Sequence, residues 1–226
     1  MDASRVAILR QLLAGSGWVE RAGEFASTLR RSARPGGLLL VGTPEEEPWH
    51  LAAHLSDESR YAGLPELEPT LVRWNPPLGA PAHLSVGLAR LEATERGETL
   101  FVVAPQAAPV PLLERIDDAR RIGATILSLH AGDRELAGLS HEFLTVPGVG
   151  ATRQTSFGLH VPAAALQESM PELDGEILSM EVVQHLVSSA AADDPSGPPG
   201  RARGGLRERL ARLLDLVSGP TPSDYR

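Results

Sequence analysis

Residues 119–148, ARRIGATILSLHAGDRELAGLSHEFLTVPG, decide the fold of this chain. The stretch starts with a helical pattern that ends at Gly123, and an apolar run follows over 124–129. After a glycine turn and a short helical segment, a second apolar run over 143–146 ends before Pro147. Apolar runs without alternation are typical of strands buried on both faces, which occur in parallel sheets. The stretch therefore predicts two parallel strands joined by a helix.

The same alternation extends towards the N-terminus. Helical patterns separate the apolar runs, among them segments that start at Trp49, Leu84 and Leu112. Strands that alternate with helices imply right-handed crossovers and an α/β fold. The predicted parallel strands are 38–42, 70–74, 99–104, 124–129 and 142–146.

The composition limits the chemistry available to the chain. It has 226 residues, which suits one domain with terminal appendages, and its hydrophobic fraction of 42% is enough for a packed core. The absence of cysteine excludes disulfides, thiolate chemistry and iron–sulfur clusters. All 21 Lys+Arg residues are arginine, so lysine Schiff bases and a P-loop lysine are also excluded.

Charge and hydropathy restrict the partners and the compartment. The formal net charge of -8 disfavours nucleic acid, whose partners usually carry a basic domain. The N-terminus carries charges at Asp2, Arg5 and Arg10 and lacks the apolar core of a signal peptide. No apolar run is long enough to cross a membrane. We therefore predict a cytoplasmic protein without nucleic-acid or membrane contacts.

Composition shifts divide the chain into five parts. A Pro-, Gly- and Ala-rich stretch separates the α/β region from a final leucine stripe with arginines beside it. The predicted parts are N-terminal helices (1–34), an α/β domain (35–190), a linker (191–205), an amphipathic helix (206–218) and a tail (219–226).

The order of these elements resembles the sugar isomerase (SIS) domain family over residues 20 to 190. The likeness lies in GGLLLVG (36–42) with HLAAHL (50–55), in ERGETLFVVAP (95–105), in the stretch 119–148, and in MEVVQHLVSSAA (180–191). The resemblance implies a three-layer αβα sandwich around a five-stranded parallel sheet of order 2-1-3-4-5, with helical N- and C-terminal extensions. It also implies a homodimer and a small carbohydrate-derived ligand at the carboxyl ends of the strands.

The two loops that grip phosphate in this family are altered here. Small residues after strand one normally present backbone N–H groups to the phosphate, whereas this chain has Thr-Pro-Glu-Glu-Glu-Pro at 43–48. Proline removes N–H donors, and carboxylates repel a dianion. The second loop, Pro-Gln-Ala-Ala-Pro at 105–109, has no hydroxyl. We therefore predict that ordinary phosphosugar binding is lost. The candidate ligand-binding residues that remain are Thr43, Gln106, Arg153 and Thr155.

Three histidines form the candidate catalytic or metal site. His50 and His54, four residues apart on a predicted helix, have the spacing of two metal ligands. The resemblance to phosphoheptose isomerases adds His185 on the closing helix, and it implies proton transfer by His54 and His185 or a zinc ion on all three. Imidazole suits zinc in a chain without thiolates. The alternative is that these are ordinary surface or capping histidines.

Three functions remain open at this stage. The first is an SIS-like binding or regulatory protein without phosphosugar isomerase activity. The second is a phosphosugar isomerase with an unusual, metal-assisted site, and the third is a scaffolding dimer. The altered loops favour the first function, and the three histidines favour the second.

Overall fold

The computed structural model describes residues 17–146 and 179–192. Residues 1–16, 147–178 and 193–226 lie outside these ranges. The candidate ligand-binding residues Arg153 and Thr155 and the predicted C-terminal amphipathic helix are among them. No helix in the described ranges is both long and apolar enough to cross a membrane.

The sheet confirms the predicted α/β class and strand order. The strands in the described residues are β1 (Leu38–Val41), β2 (Pro69–Val72), β3 (Thr99–Ala104), β4 (Thr125–His130) and β5 (Glu142–Thr145). They pair in parallel in the order β2-β1-β3-β4-β5. Both faces of β1 and β3 are buried, which explains why their sequences do not alternate.

Helices cover both faces of the sheet. They are α1 (Trp18–Ser32), α2 (Trp49–Ala62), α3 (Ala89–Glu92), α4 (Val110–Ile122), α5 (Arg134–Leu139) and α6 (Met180–Ala192). Helices α1, α2 and α6 pack on one face, and α3, α4 and α5 pack on the other. Phe25 of α1 contacts Phe101 of β3, with 5.4 Å between ring centroids. The N-terminal helix α1 is thus part of the core.

One predicted helix differs from the structure. The spacing of Leu84, Leu88 and Leu91 predicts a continuous helix, but the structure has a 3-10 turn at Ala82–Leu84 and the single turn of α3. Between them Gly87 forms an isolated parallel bridge with Arg73, whose N–H donates to the carbonyl of Val86 at 2.9 Å. The segment therefore extends the edge of the sheet beyond β2, and this pairing excludes a helix there.

Candidate functional site

The carboxyl ends of the strands bring two predicted ligand-binding residues together. Thr43 follows β1 and Gln106 follows β3, and the Thr43 hydroxyl lies 3.4 Å from Gln106 Oε1. Thr43 is completely buried, whereas Gln106 is exposed. Gln106 is the one of the two whose side chain faces solvent. The buried hydroxyl of Thr43 joins the loop after β1 to the loop after β3.

The loop after β1 folds back onto the end of its own strand. Thr43 N donates to the carbonyl of Glu46 at 3.1 Å, and Glu46 N donates to the carbonyl of Thr43 at 3.2 Å. A Cβ on Gly42 would lie 2.1 Å from the Glu46 carbonyl oxygen and 2.7 Å from Pro48 Cδ. Only glycine permits this approach. Two of the N–H groups that could face an anion are therefore used inside the loop.

A carboxylate fastens the same loop to the end of β2. Glu47 accepts hydrogen bonds from Arg73 Nε and from the backbone N–H of Trp74, both at 2.9 Å. The side chains of Glu47 and Arg73 are only 12% and 15% exposed. The Trp74 indole donates to the carbonyl of Gly42 at 2.8 Å, and the Arg73 guanidinium lies 4.4 Å from the Trp49 ring centroid.

A second carboxylate, from the loop after β4, binds the loop after β3. Asp133 caps α5 by accepting hydrogen bonds from Glu135 N and Leu136 N at 3.0 Å each. Its other oxygen accepts from Ala108 N at 2.8 Å. Since Pro105 and Pro109 have no N–H, this bond removes one of the few donors that the loop could offer to an anion.

Two of the three predicted histidines contact each other, and the third lies beside a glutamate. The rings of His54 on α2 and His185 on α6 meet edge to face, with 4.2 Å between centroids. His50 lies one turn earlier, exposed, with Nδ1 3.8 Å from Glu181 Oε1. The packing of α2 against α6 places all four side chains on one surface of the molecule.

Burial controls the charge of the inner pair. It lowers the pKa of His54 below its ordinary value of 6.5, although Asp57 acts in the opposite direction. Burial likewise lowers the pKa of His185, and the neighbouring His54 lowers it further. His185 Nδ1 is buried and has no hydrogen-bond partner among the described residues. The pair is therefore suited to the neutral form at pH 7, with a free ring nitrogen.

The fit of a metal ion to these residues is poor. Zinc needs three or four ligand atoms that converge at about 2.0–2.1 Å for nitrogen. Within residues 17–146 and 179–192, no group of three or more His, Asp or Glu side chains could hold a metal ion. His50 is directed to Glu181 while His54 meets His185, so the predicted zinc site on His50, His54 and His185 is not formed in this conformation.

His130 is a buried histidine at the same edge of the sheet, and the sequence did not single it out as a candidate. It ends β4, is 2% exposed, and lies 5.3 Å from the Phe143 ring centroid. Gly132 N donates to its Nδ1 at 3.1 Å, so the neutral ring carries its proton on Nε2, which has no partner among the described residues. Burial lowers its pKa against the opposing effect of Asp133. Its position directly after an apolar run was the available signal.

A cavity of about 300 Å³ lies away from this edge, between α3 and α4. It contains none of the predicted site residues. Its lining is Leu91, Glu92, Arg115, Asp118, Arg121 and Ile122.

Comparison with solved structures identifies the fold. The chain is similar to a candidate phosphosugar isomerase from Silicibacter pomeroyi DSS-3, with a TM-score of 0.51 and 16% identity. The match covers 94% of this chain and 53% of that one, so the chain spans about half the length of this neighbour. The protein thus has the three-layer α/β fold of the SIS type. No family model matches the sequence, and no curated protein matches it.

Two further solved structures were found with lower similarity. One is a candidate sugar-binding protein from Salmonella typhimurium LT2, with a TM-score of 0.49, 13% identity, and 93% of this chain and 52% of that one covered. The other is the sugar isomerase domain of the RpiR transcription factor from Sphaerobacter thermophilus, with a TM-score of 0.45, 15% identity, and 95% and 93% covered.

Proposed function

We propose that this protein is an SIS-like binding or regulatory protein without ordinary phosphosugar isomerase activity. The proposal rests on the closed state of the two loops at the carboxyl ends of β1 and β3. In the first loop, Thr43 N and Glu46 N donate to each other's carbonyl oxygens, and in the second loop Ala108 N donates to Asp133. The exposed Glu45 and Glu46 add negative charge where a dianion would approach.

Calorimetry tests the loss of phosphosugar binding directly. We expect no saturable heat when the full chain is titrated with fructose 6-phosphate, glucosamine 6-phosphate or sedoheptulose 7-phosphate at sub-millimolar concentration. Glucosamine and glucosamine 6-phosphate form a matched pair that differs only in the phosphate. Heat with glucosamine alone would support a sugar site without a phosphate grip. Saturable heat with any of the phosphosugars would overturn the proposal.

The second candidate function is a phosphosugar isomerase with an unusual site. The observation in its favour is the contact between His54 and His185, which leaves His185 Nδ1 buried without a partner among the described residues. A neutral imidazole can take a proton from a sugar carbon that comes within hydrogen-bond reach of its unprotonated nitrogen, so this function requires the buried pair to open to substrate. In this function His54 and His185 would be the catalytic residues.

Isomerisation of sedoheptulose 7-phosphate, followed by NMR, tests this second function. Its signature is turnover that His185→Ala abolishes and that His83→Ala, a change at an exposed histidine outside the pair, retains. Absence of turnover in the unmodified protein would exclude it for this substrate.

We also propose that the protein is a cytoplasmic homodimer that binds a small carbohydrate-derived ligand. The dimer is an implication of the SIS resemblance, in which domains commonly pair. Light scattering at micromolar concentration should give twice the mass of 24.0 kDa. A mass of one chain would exclude the dimer and leave the loop argument unchanged.

A further inference from the structure

Arg73 and the backbone N–H of Trp74 form a pair of converging donors at the carboxyl end of β2. Both donate to the same carboxylate, Glu47, at 2.9 Å each. The Trp49 ring lies 4.4 Å from the Arg73 guanidinium carbon and shields that face of the cation from water. A guanidinium nitrogen and an adjacent amide pointing at two oxygens of one group constitute an anion receptor.

The occupant of this receptor belongs to the loop that follows β1. Glu47 lies 26 residues from Arg73 in sequence, and its carboxylate is the group that joins the loop to β2. Because Arg73 is 15% exposed at its side chain, its charge requires a partner on the protein or from a ligand. The loop closes through the Thr43–Glu46 turn directly before this contact. The turn and the Glu47 contact therefore hold adjacent residues of the same loop.

We propose that Arg73 and Trp74 N–H are a carboxylate-binding site, and that Glu47 is its built-in occupant and holds the β1 loop closed. A ligand that carries a carboxylate would bind by taking the place of Glu47. That exchange would release the loop from Gly42 and uncover the carboxyl edge of the sheet. The two donors lie at β2, but their occupant Glu47 belongs to the β1 loop (43–48), so this inference rests on the closed loop of the proposed function.

Chemical rescue of Glu47→Ala tests the receptor. The substitution removes a CH₂ and a carboxylate, and the two carbons of acetate correspond to them. A site that binds acetate with a Kd of about 10 mM would favour the folded state about 20-fold at about 200 mM acetate. This corresponds to a rise in Tm of roughly 4–7 °C above the same concentration of chloride. The emission of Trp49 and Trp74 should change with the same saturation curve.

Matched controls decide the outcome. Glu46→Ala removes the same charge from an exposed neighbour in the loop and should respond as the unmodified protein does. In both, acetate must displace Glu47, so their response should need a much higher acetate concentration than that of Glu47→Ala. Adding Arg73→Met to Glu47→Ala should abolish the response. Equal responses to acetate and chloride in Glu47→Ala, or an equal acetate response in Glu46→Ala, would overturn the proposal.

A milder pair of variants covers the case in which Glu47→Ala does not fold. Glu47→Gln keeps an acceptor for Trp74 N–H and leaves the Arg73 charge without its counter-ion. Its Tm should fall several degrees below that of Glu46→Gln. Equal Tm values for the two glutamine variants would overturn the proposal as well.

Discussion

Replacement of Gly42 by alanine tests whether the β1 loop is clamped against its strand. The added Cβ would lie 2.1 Å from the Glu46 carbonyl oxygen, far inside the contact distance that real Cβ atoms show. The neighbouring atom is backbone, so it cannot rotate away as a side chain would. Pro48 Cδ at 2.7 Å blocks movement of the new methyl in that direction. The loop must therefore shift by about 1 Å, a distance that breaks hydrogen bonds.

The cost follows from the contacts that such a shift breaks. The two backbone hydrogen bonds between Thr43 and Glu46 contribute about 1 kcal/mol each, and the charge-assisted bonds of Glu47 contribute somewhat more. Loss of the two Thr43–Glu46 bonds and weakening of the Glu47 bonds should lower the free energy of unfolding by about 2–4 kcal/mol. For a protein of this size, that lowers Tm by roughly 5–15 °C.

Gly23→Ala is the matched control, and calorimetry or urea unfolding is the assay. Gly23 lies in α1, and a Cβ there would meet nothing within 4 Å. Since alanine favours the helix over glycine by about 0.5–1 kcal/mol, this variant should gain roughly 1–4 °C in Tm. An unchanged Tm for Gly42→Ala would show that the loop leaves the strand without cost, and the argument from loop closure would fail.

Three further predictions concern the histidines and the core. Burial lowers the pKa values of His54, His185 and His130, so in acid the unfolded chain binds more protons than the folded one. The free energy of unfolding should therefore fall as the pH drops below about 6.5, and these groups should have no effect on it above that pH. Urea unfolding at several pH values measures this, and constant stability between pH 7 and 5 would contradict it. Phe101→Ala should lower the free energy of unfolding by about 3–5 kcal/mol because Phe101 is completely buried. Phe143 lies on the edge strand with 41% of its side chain exposed, so Phe143→Ala should lower it clearly less. Comparable decreases for the two variants in urea unfolding would refute this account of the core. Excess zinc should leave Tm unchanged because the described residues hold no set of three converging ligands; a rise that His185→Ala abolishes would restore the three-histidine site.

Local patterns predicted the sheet well because its three inner strands, β1, β3 and β4, are buried on both faces. The run over 124–129 corresponds to β4 at Thr125–His130, and the run over 142–146 corresponds to β5 at Glu142–Thr145. In a strand that is buried on both faces, most side chains are apolar, so an unbroken apolar run in the sequence predicts the strand. The helix predicted across Leu84–Leu91 was wrong because this segment pairs with Arg73, the residue after β2, through the bond from Arg73 N to Val86 O.

The candidate site was only partly predictable. The family resemblance placed His54 and His185 near each other, and the structure brings their rings into contact. The same reasoning joined His50 to them, but its partner in the structure is Glu181, which the sequence did not mark as competing for it. Such choices depend on side-chain directions where two helices pack, and no local pattern encodes these.

The sequence by itself determined the α/β class, the positions of the strands, and the absence of lysine and cysteine chemistry, because these follow from residue type and from contacts between near neighbours. It also showed that the phosphate loops are altered. The tertiary structure decided how those loops are held: Glu47 binds Arg73 and Trp74, and Asp133 binds Ala108, each across 25 to 27 residues of chain. A glutamate in a loop can repel a ligand or close the loop over its strand. Only the parallel pairing of β2 beside β1, which brings Arg73 within 2.9 Å of Glu47, selects the second role.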